Sequence, residues 1–182
     1  MLQIRMQGTP NPNARKYALS EEIKAEGKVT YQSAEECEHI PLAYALMISK
    51  EIKQVHLFEN ILTVTKNPQE DWKNIDQIVQ DILDNHILNH DIFFQDFIAE
   101  DREKKPLTPE LQEIDNIISE TIRPSLQMDG GDIELIELEK NILTISYMGA
   151  CGDCPSSMTG TLDALQSILQ DRYNENIQVA VV

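Results

Sequence analysis

The sequence predicts an α+β protein of two small domains, the second ordered α-β-β-α-β around a mixed three-stranded sheet. Three observations carry that expectation. The chain has 182 residues, enough for one large or two small cores. Strand-like alternation and helix-like spacing of apolar residues recur in both halves. Between the halves, residues 91–108 pass from a crowded aromatic cluster into the charged run Glu100-Asp101-Arg102-Glu103-Lys104-Lys105 and then Pro106, as a linker does. The expected division is a first α+β domain at 1–90, a linker at 91–108 and a second domain at 109–182.

In the first domain, Leu2-Gln3-Ile4-Arg5-Met6 alternates apolar and polar residues, the pattern of a half-buried strand. Gly8-Thr9-Pro10-Asn11-Pro12-Asn13 is dense in turn formers and reads as a loop. Pro41 to Lys50 reads as a short helix, with proline tolerated in the first turn. Val55-His56-Leu57-Phe58 and Ile61-Leu62-Thr63-Val64-Thr65 flank Glu59-Asn60, a tight hairpin signal. From Glu70 to about Leu88, Trp72, Ile75, Ile78, Val79, Ile82 and Leu83 recur at helical spacing.

The linker opens with Phe93, Phe94 and Phe97, three of the chain's four phenylalanines. They are expected to pack back onto the first domain; the alternative is a docking surface for a client or for the second domain. In the second domain, Leu111, Ile114, Ile118 and Ile122 line one helix face, and Arg123-Pro124 ends or kinks that helix. Ile133–Leu138 and Ile142–Tyr147 are strands joined by a hairpin at Glu139-Lys140-Asn141. Met158, Leu162, Leu165 and Leu169 line a second helix, and Ile177, Val179 and Val181 alternate as a last strand.

Charge narrows the function. The formal net charge is −16. Residues 107–182 hold three basic and thirteen acidic residues, so −10 of it lies in the second domain. Such a surface repels phosphate backbones and anionic lipids, so neither nucleic acid nor a membrane surface is an expected partner. No apolar run reaches the ~18 residues of a membrane helix. The first residues lack the layout of a signal or transit peptide, which makes a cytoplasmic protein the expectation.

Of the three cysteines, Cys151 and Cys154 stand at Cys-x-x-Cys spacing between a strand and a helix. Cys154 falls near the helix N-terminus, where partial positive charge and unpaired N–H groups favour thiolate, the form that ligates metal or attacks a disulfide. Gly149 and Gly152 let the backbone turn so that two sulfurs aim at one point. Two sulfurs do not complete an iron–sulfur or structural zinc site, which takes four ligands. Cys37 has no partner nearby and reads as a structural thiol. His39, His56, His86 and His90 are scattered and read as non-functional, although His86 and His90 share a face if their helix extends that far. Symmetry supplies the missing pair: two chains, each giving Cys151 and Cys154, across a two-fold axis. A zinc-bridged dimer, a thiol–disulfide oxidoreductase and a metal-free adaptor remain alternatives. Against the oxidoreductase stand the hairpin before the motif, where a βαβ setting is the rule, and the lack of an aromatic residue immediately before Cys151.

The segment Arg123-Pro124-Ser125-Leu126-Gln127-Met128-Asp129-Gly130-Gly131-Asp132-Ile133, followed by Gly149-Ala150-Cys151-Gly152-Asp153-Cys154-Pro155-Ser156-Ser157 and Thr161-Leu162, resembles the C-terminal domain of NifU, the Nfu-type iron–sulfur scaffold. Thr9-Pro10-Asn11-Pro12-Asn13, Pro41-Leu42-Ala43, Thr63-Val64-Thr65-Lys66 and Trp72 resemble the Nfu N-terminal domain. The resemblance implies a non-enzymatic carrier that holds a [4Fe–4S] cluster between two protomers through Cys151 and Cys154. It also implies a homodimer in the cluster-bound state, an upstream assembly scaffold as donor and apo iron–sulfur proteins as clients. Asp129 to Asp132 carries over as a family marker, with a turn into the next strand as its physical job.

Overall fold

A computed structural model describes residues 2–95, 107–151 and 157–182, the last from residue 160 onward for side chains. The first half is a five-stranded antiparallel sheet built from β1 (Ile4–Gly8), β2 (Ala14–Leu19), β3 (Lys24–Tyr31), β4 (Ile52–Glu59) and β5 (Ile61–Lys66), in the spatial order β1-β2-β5-β4-β3. The β4–β5 turn falls at Glu59-Asn60, between the paired Phe58 and Ile61. Two helices, α1 (Pro41–Met47) and α2 (Trp72–His86), cover one face. Pro41 opens α1, and the Asp71 carboxylate accepts from Lys73 N to cap α2.

Strand periodicity decides what this sheet presents. Tyr17, Val29, Tyr31, Val55, Leu57 and Leu62 point toward the helices and form the first core. The residues between them along the strands, Lys16, Lys28, Gln54, His56, Thr63 and Thr65, face the other way. Four of these, Gln54, His56, Thr63 and Thr65, are buried although polar.

The second half contains α3 (Pro109–Thr121), α4 (Arg123–Met128), β6 (Gly131–Glu139), β7 (Ile142–Gly149), α5 (Ser157–Arg172) and β8 (Gln178–Val181). Thr108 caps α3, accepting from Leu111 N, and the expected break at Arg123-Pro124 separates α3 from α4. β6 and β7 are antiparallel, whereas β7 and β8 are parallel, so the three-stranded sheet is mixed. The β6–β7 turn has Lys140 and Asn141 both at positive φ, 47° and 66°, the conformation that matches a two-residue hairpin to strand twist. Leu111, Ile114, Ile118, Ile133, Ile145 and Leu165 lie in a second core distinct from the first. The polar face of the first sheet lies against the β7 end of the second. Among the described residues, no helix is long and apolar enough to cross a membrane.

Candidate functional site

At its end β7 pairs Met148 with Asp132 and Gly149 with Gly131, and the chain then turns through Ala150 into Cys151. Gly149 sits at φ 61°, and a Cβ on it would stand 2.5 Å from Gly130 O and 3.1 Å from His56 Cγ. No L side chain fits that position. Gly131 lies directly beneath the cysteine: a Cβ there would collide with Cys151 Sγ and stand 2.9 Å from Cys151 N. Ala150 N donates to Gly130 O at 3.0 Å. The glycine pair is therefore the bed on which the cysteine loop rests. Cys151 is 4 % exposed and belongs to the edge of the second core. Burial, with the Cys151 sulfur beside it, pushes the Tyr147 hydroxyl up to about 12.

Asp132 anchors the bed. Its carboxylate is 1 % exposed and accepts from Lys28 Nζ at 2.7 Å, Arg123 Nε at 3.1 Å, Gln127 Nε2 at 3.1 Å and Ile133 N at 2.6 Å. Burial alone would raise its pKa; the Lys28 ammonium and these hydrogen bonds outweigh burial and hold it below the ordinary carboxylate value. Arg123 also donates to Asp115 at 2.8 Å and to Ser119 at 2.6 Å, which ties the bed to α3.

The first domain reaches the same loop from outside. Asn11 Nδ2 donates to Ala150 O at 3.0 Å and Gln54 Nε2 to Gly149 O at 2.9 Å. Lys16 Nζ donates to Met128 O at 2.7 Å and Lys28 Nζ to Ile133 O at 3.0 Å. His56 Nδ1 and Thr30 Oγ1 share a hydrogen bond of 2.8 Å. Burial, reinforced by the Lys28 ammonium, lowers the His56 pKa to about 4, so the imidazole at the back of Gly149 is neutral at pH 7.

Cys154 and residues 152–156, including Gly152 of the turn, lie outside the described residues, so Cys151 is the described half of the pair. Cys37 is wholly buried in the first core, its Sγ 3.6 Å from Ser33 O and Ala34 O; burial and then the charges of Glu36 and Glu38 push its thiol up to about 12. Among the histidines, His39 Nε2 bonds Gln95 O and His90 Nε2 bonds Ile23 O. α2 ends at His86 and a short 3-10 turn follows, so His86 and His90 do not share a helix face. His56 is the exception to the reading of the histidines as scattered, because it lies against the cysteine loop. Phe94 packs into the first core with Lys24 Nζ 4.4 Å above its ring, whereas Phe93 is exposed; Phe97 lies outside the described residues. Among the described residues, no cluster of three or more His, Cys, Asp or Glu side chains is arranged to hold a metal.

The setting of the motif corrects one sequence argument. β7, α5 and the parallel β8 form a βαβ unit around the cysteine loop, so the β6–β7 hairpin does not by itself separate this protein from thiol–disulfide oxidoreductases. In the sequence Asn11 stands only as part of a turn-forming loop and family segment, and Lys28 and Gln54 belong to no motif. The signal available for the strand residues is polar alternation on strands whose other face is core.

Two family models match the chain: a NifU-like domain over residues 114–180, and the scaffold protein Nfu/NifU N-terminal domain over 4–90. The nitrogen fixation protein NifU of Anabaena sp. (strain L31) is 38 % identical over 87 residues, covering 47 % of this chain and 78 % of that protein. The NFU1 iron-sulfur cluster scaffold homolog, mitochondrial, of Drosophila grimshawi is 28 % identical over 176 residues, 92 % of this chain and 57 % of the relative. Its namesake in Homo sapiens is 26 % identical over 169 residues, 92 % of this chain and 66 % of the relative. The chain thus spans less than two thirds of these two longer relatives. With both family models matching in chain order, and the NifU relative covered over 78 % of its length, the chain belongs to the Nfu/NifU scaffold protein family.

Proposed function

We propose that this protein carries a [4Fe–4S] cluster held by Cys151 and Cys154 of two protomers, and passes it from an upstream scaffold to apo-proteins. The observation that carries the reading is the separation of the cysteines. Cys151 lies on the loop after β7, while Cys37 is buried in the other core, bonded to its own backbone turn. One chain thus brings two thiolates to a cargo that takes four, and a second chain completes the set. The proposed role is transfer rather than catalysis, in a reducing compartment that keeps the thiols unpaired; the sequence favours the cytoplasm, while the two NFU1 relatives carry mitochondrial in their names.

The βαβ setting supports thiol–disulfide exchange as a second reading, and one experiment separates the two. After anaerobic reconstitution, Mössbauer spectroscopy and native mass measurement are expected to show one [4Fe–4S] cluster per dimer, with monomeric apo-protein. Cys151→Ser and Cys154→Ser should each remain colourless, and Cys37→Ser should colour like the parent. A monomer at full cluster occupancy, or bleaching by Cys37→Ser alone, overturns the bridging reading; colourless zinc protein or a redox-active dithiol supports the alternatives.

A further inference from the structure

We infer that the first domain is a positioning element for the cluster ligand, with Asn11 and Gln54 as positioning residues for Cys151; this rests on Cys151 being a ligand. The two amides converge on consecutive carbonyls, those of Ala150 and Gly149, which are the last main-chain acceptors before the cysteine. Both donors are themselves buried, Asn11 at 1 % and Gln54 at 5 % exposure. They come from different parts of the first domain, the loop between β1 and β2 and strand β4, so the cysteine loop is gripped at two points.

Beneath the loop the grip is matched. Gly131 takes the cysteine sulfur on its open α-carbon face, and Asp132 ties that glycine's strand to Lys28 of the first domain. The Gly149–Cys151 turn is thus held between a bed in its own domain and two amide donors from the other. The two amides bond to main-chain oxygens. They act by fixing the peptide planes that set the direction of the Cys151 side chain, and a ligand held in its bound direction keeps its cargo longer. Asn11 Oδ1 also accepts from Asn13 N at 2.9 Å, which locks the donor's own orientation.

The test uses full-length protein. Gln54→Met keeps side-chain length and removes the donor; Asn11→Ser keeps a hydroxyl for the local turn but is too short to reach Ala150. Alkylation by iodoacetamide is followed cysteine by cysteine by mass spectrometry on apo-protein, and loss of the cluster to a chelator is followed on reconstituted protein. Without the two hydrogen bonds, Cys151 should alkylate roughly tenfold faster, while Cys37 in the first core keeps its parental rate. Cluster loss should accelerate in step, with a changed electron paramagnetic resonance spectrum of the reduced cluster. Unchanged Cys151 reactivity, or equal acceleration at Cys151 and Cys37, overturns the inference. A parent protein that takes up no cluster overturns the functional reading alone, because the thiol measurement stands without the cluster.

Discussion

On the side of the five-stranded sheet that meets the helices stand Tyr17, Val29, Tyr31, Val55, Leu57 and Leu62; one residue along on the same strands stand Lys16, Lys28, Gln54, His56, Thr63 and Thr65. The first set is wrapped by α1 and α2, and the second meets the cysteine loop and its glycine bed. Apolar burial is non-directional and grows with area, so the first face builds a domain. Polar burial exchanges hydrogen bonds with water for hydrogen bonds with protein at little net gain, so the second face adds mainly orientation. The Thr63 and Thr65 hydroxyls are buried there with no partner among the described residues, and hydration would relieve that cost. A face of this kind should hold one geometry while docked and separate without unfolding either core.

The largest effect belongs to the apolar face. Leu57→Ala leaves a cavity in the first core and should cost about 4 kcal/mol, read by chemical denaturation with Trp72 fluorescence. Where denaturant then unfolds the first core, the cysteine loop should be freed too, since its outer grip goes with it.

Acid should open the polar face first. His56 has a pKa near 4 when docked against an ordinary 6.5, so the docked state binds fewer protons between those values and acidification favours separation. The contribution, at most about 3 kcal/mol because Lys28 stays beside His56 on the same sheet, is complete above pH 6.5 and is lost as pH falls through about 4. The charged groups facing His56 are Lys28, which lowers its pKa, and Asp132, which raises it. Asp132 adds acid sensitivity of the same sign, because its own pKa is held low in the docked state. Backbone amide shifts of Ala150 and Asn13 should move together across this range while Leu57 and Leu62 stay protected from exchange; His56→Gln should remove the upper part of the transition. Simultaneous opening of both faces would erase the distinction between them.

The smallest effect sharpens the bed. Gly131→Ala places a methyl group against Cys151 Sγ and should cost about 2 kcal/mol, confined to the second domain. Amide shifts at residues 148–151 should report the displaced loop, with the first core unchanged.

Much of the architecture was legible because its elements carry local signals. The spacing from Trp72 to Leu83, the proline after Arg123 and the polar turn at Lys140-Asn141 each mark structure without help from distant residues. β2 and β3 were less visible. β2 offers two large apolar residues, Tyr17 and Leu19, among lysine, arginine and alanine. In β3 a register irregularity between Lys24 and Lys28 breaks the alternation a strand reading depends on. At the site, the glycines and Cys151 were legible as a motif, but their stacking was not. Gly131 and Cys151 are brought together by β6–β7 pairing, and Asn11 reaches Ala150 across 139 positions. Such contacts leave no periodicity to read.

Four of the grips made by the first domain fall on main-chain oxygens: those of Met128, Ile133, Gly149 and Ala150. A carbonyl presents the same acceptor whatever side chain its residue bears. The joint therefore recognises the path of the second domain's backbone and little of its lettering, with Asp132 as the side-chain exception. Met128 is exposed, so drift at that position leaves the joint intact so long as the loop keeps its trace.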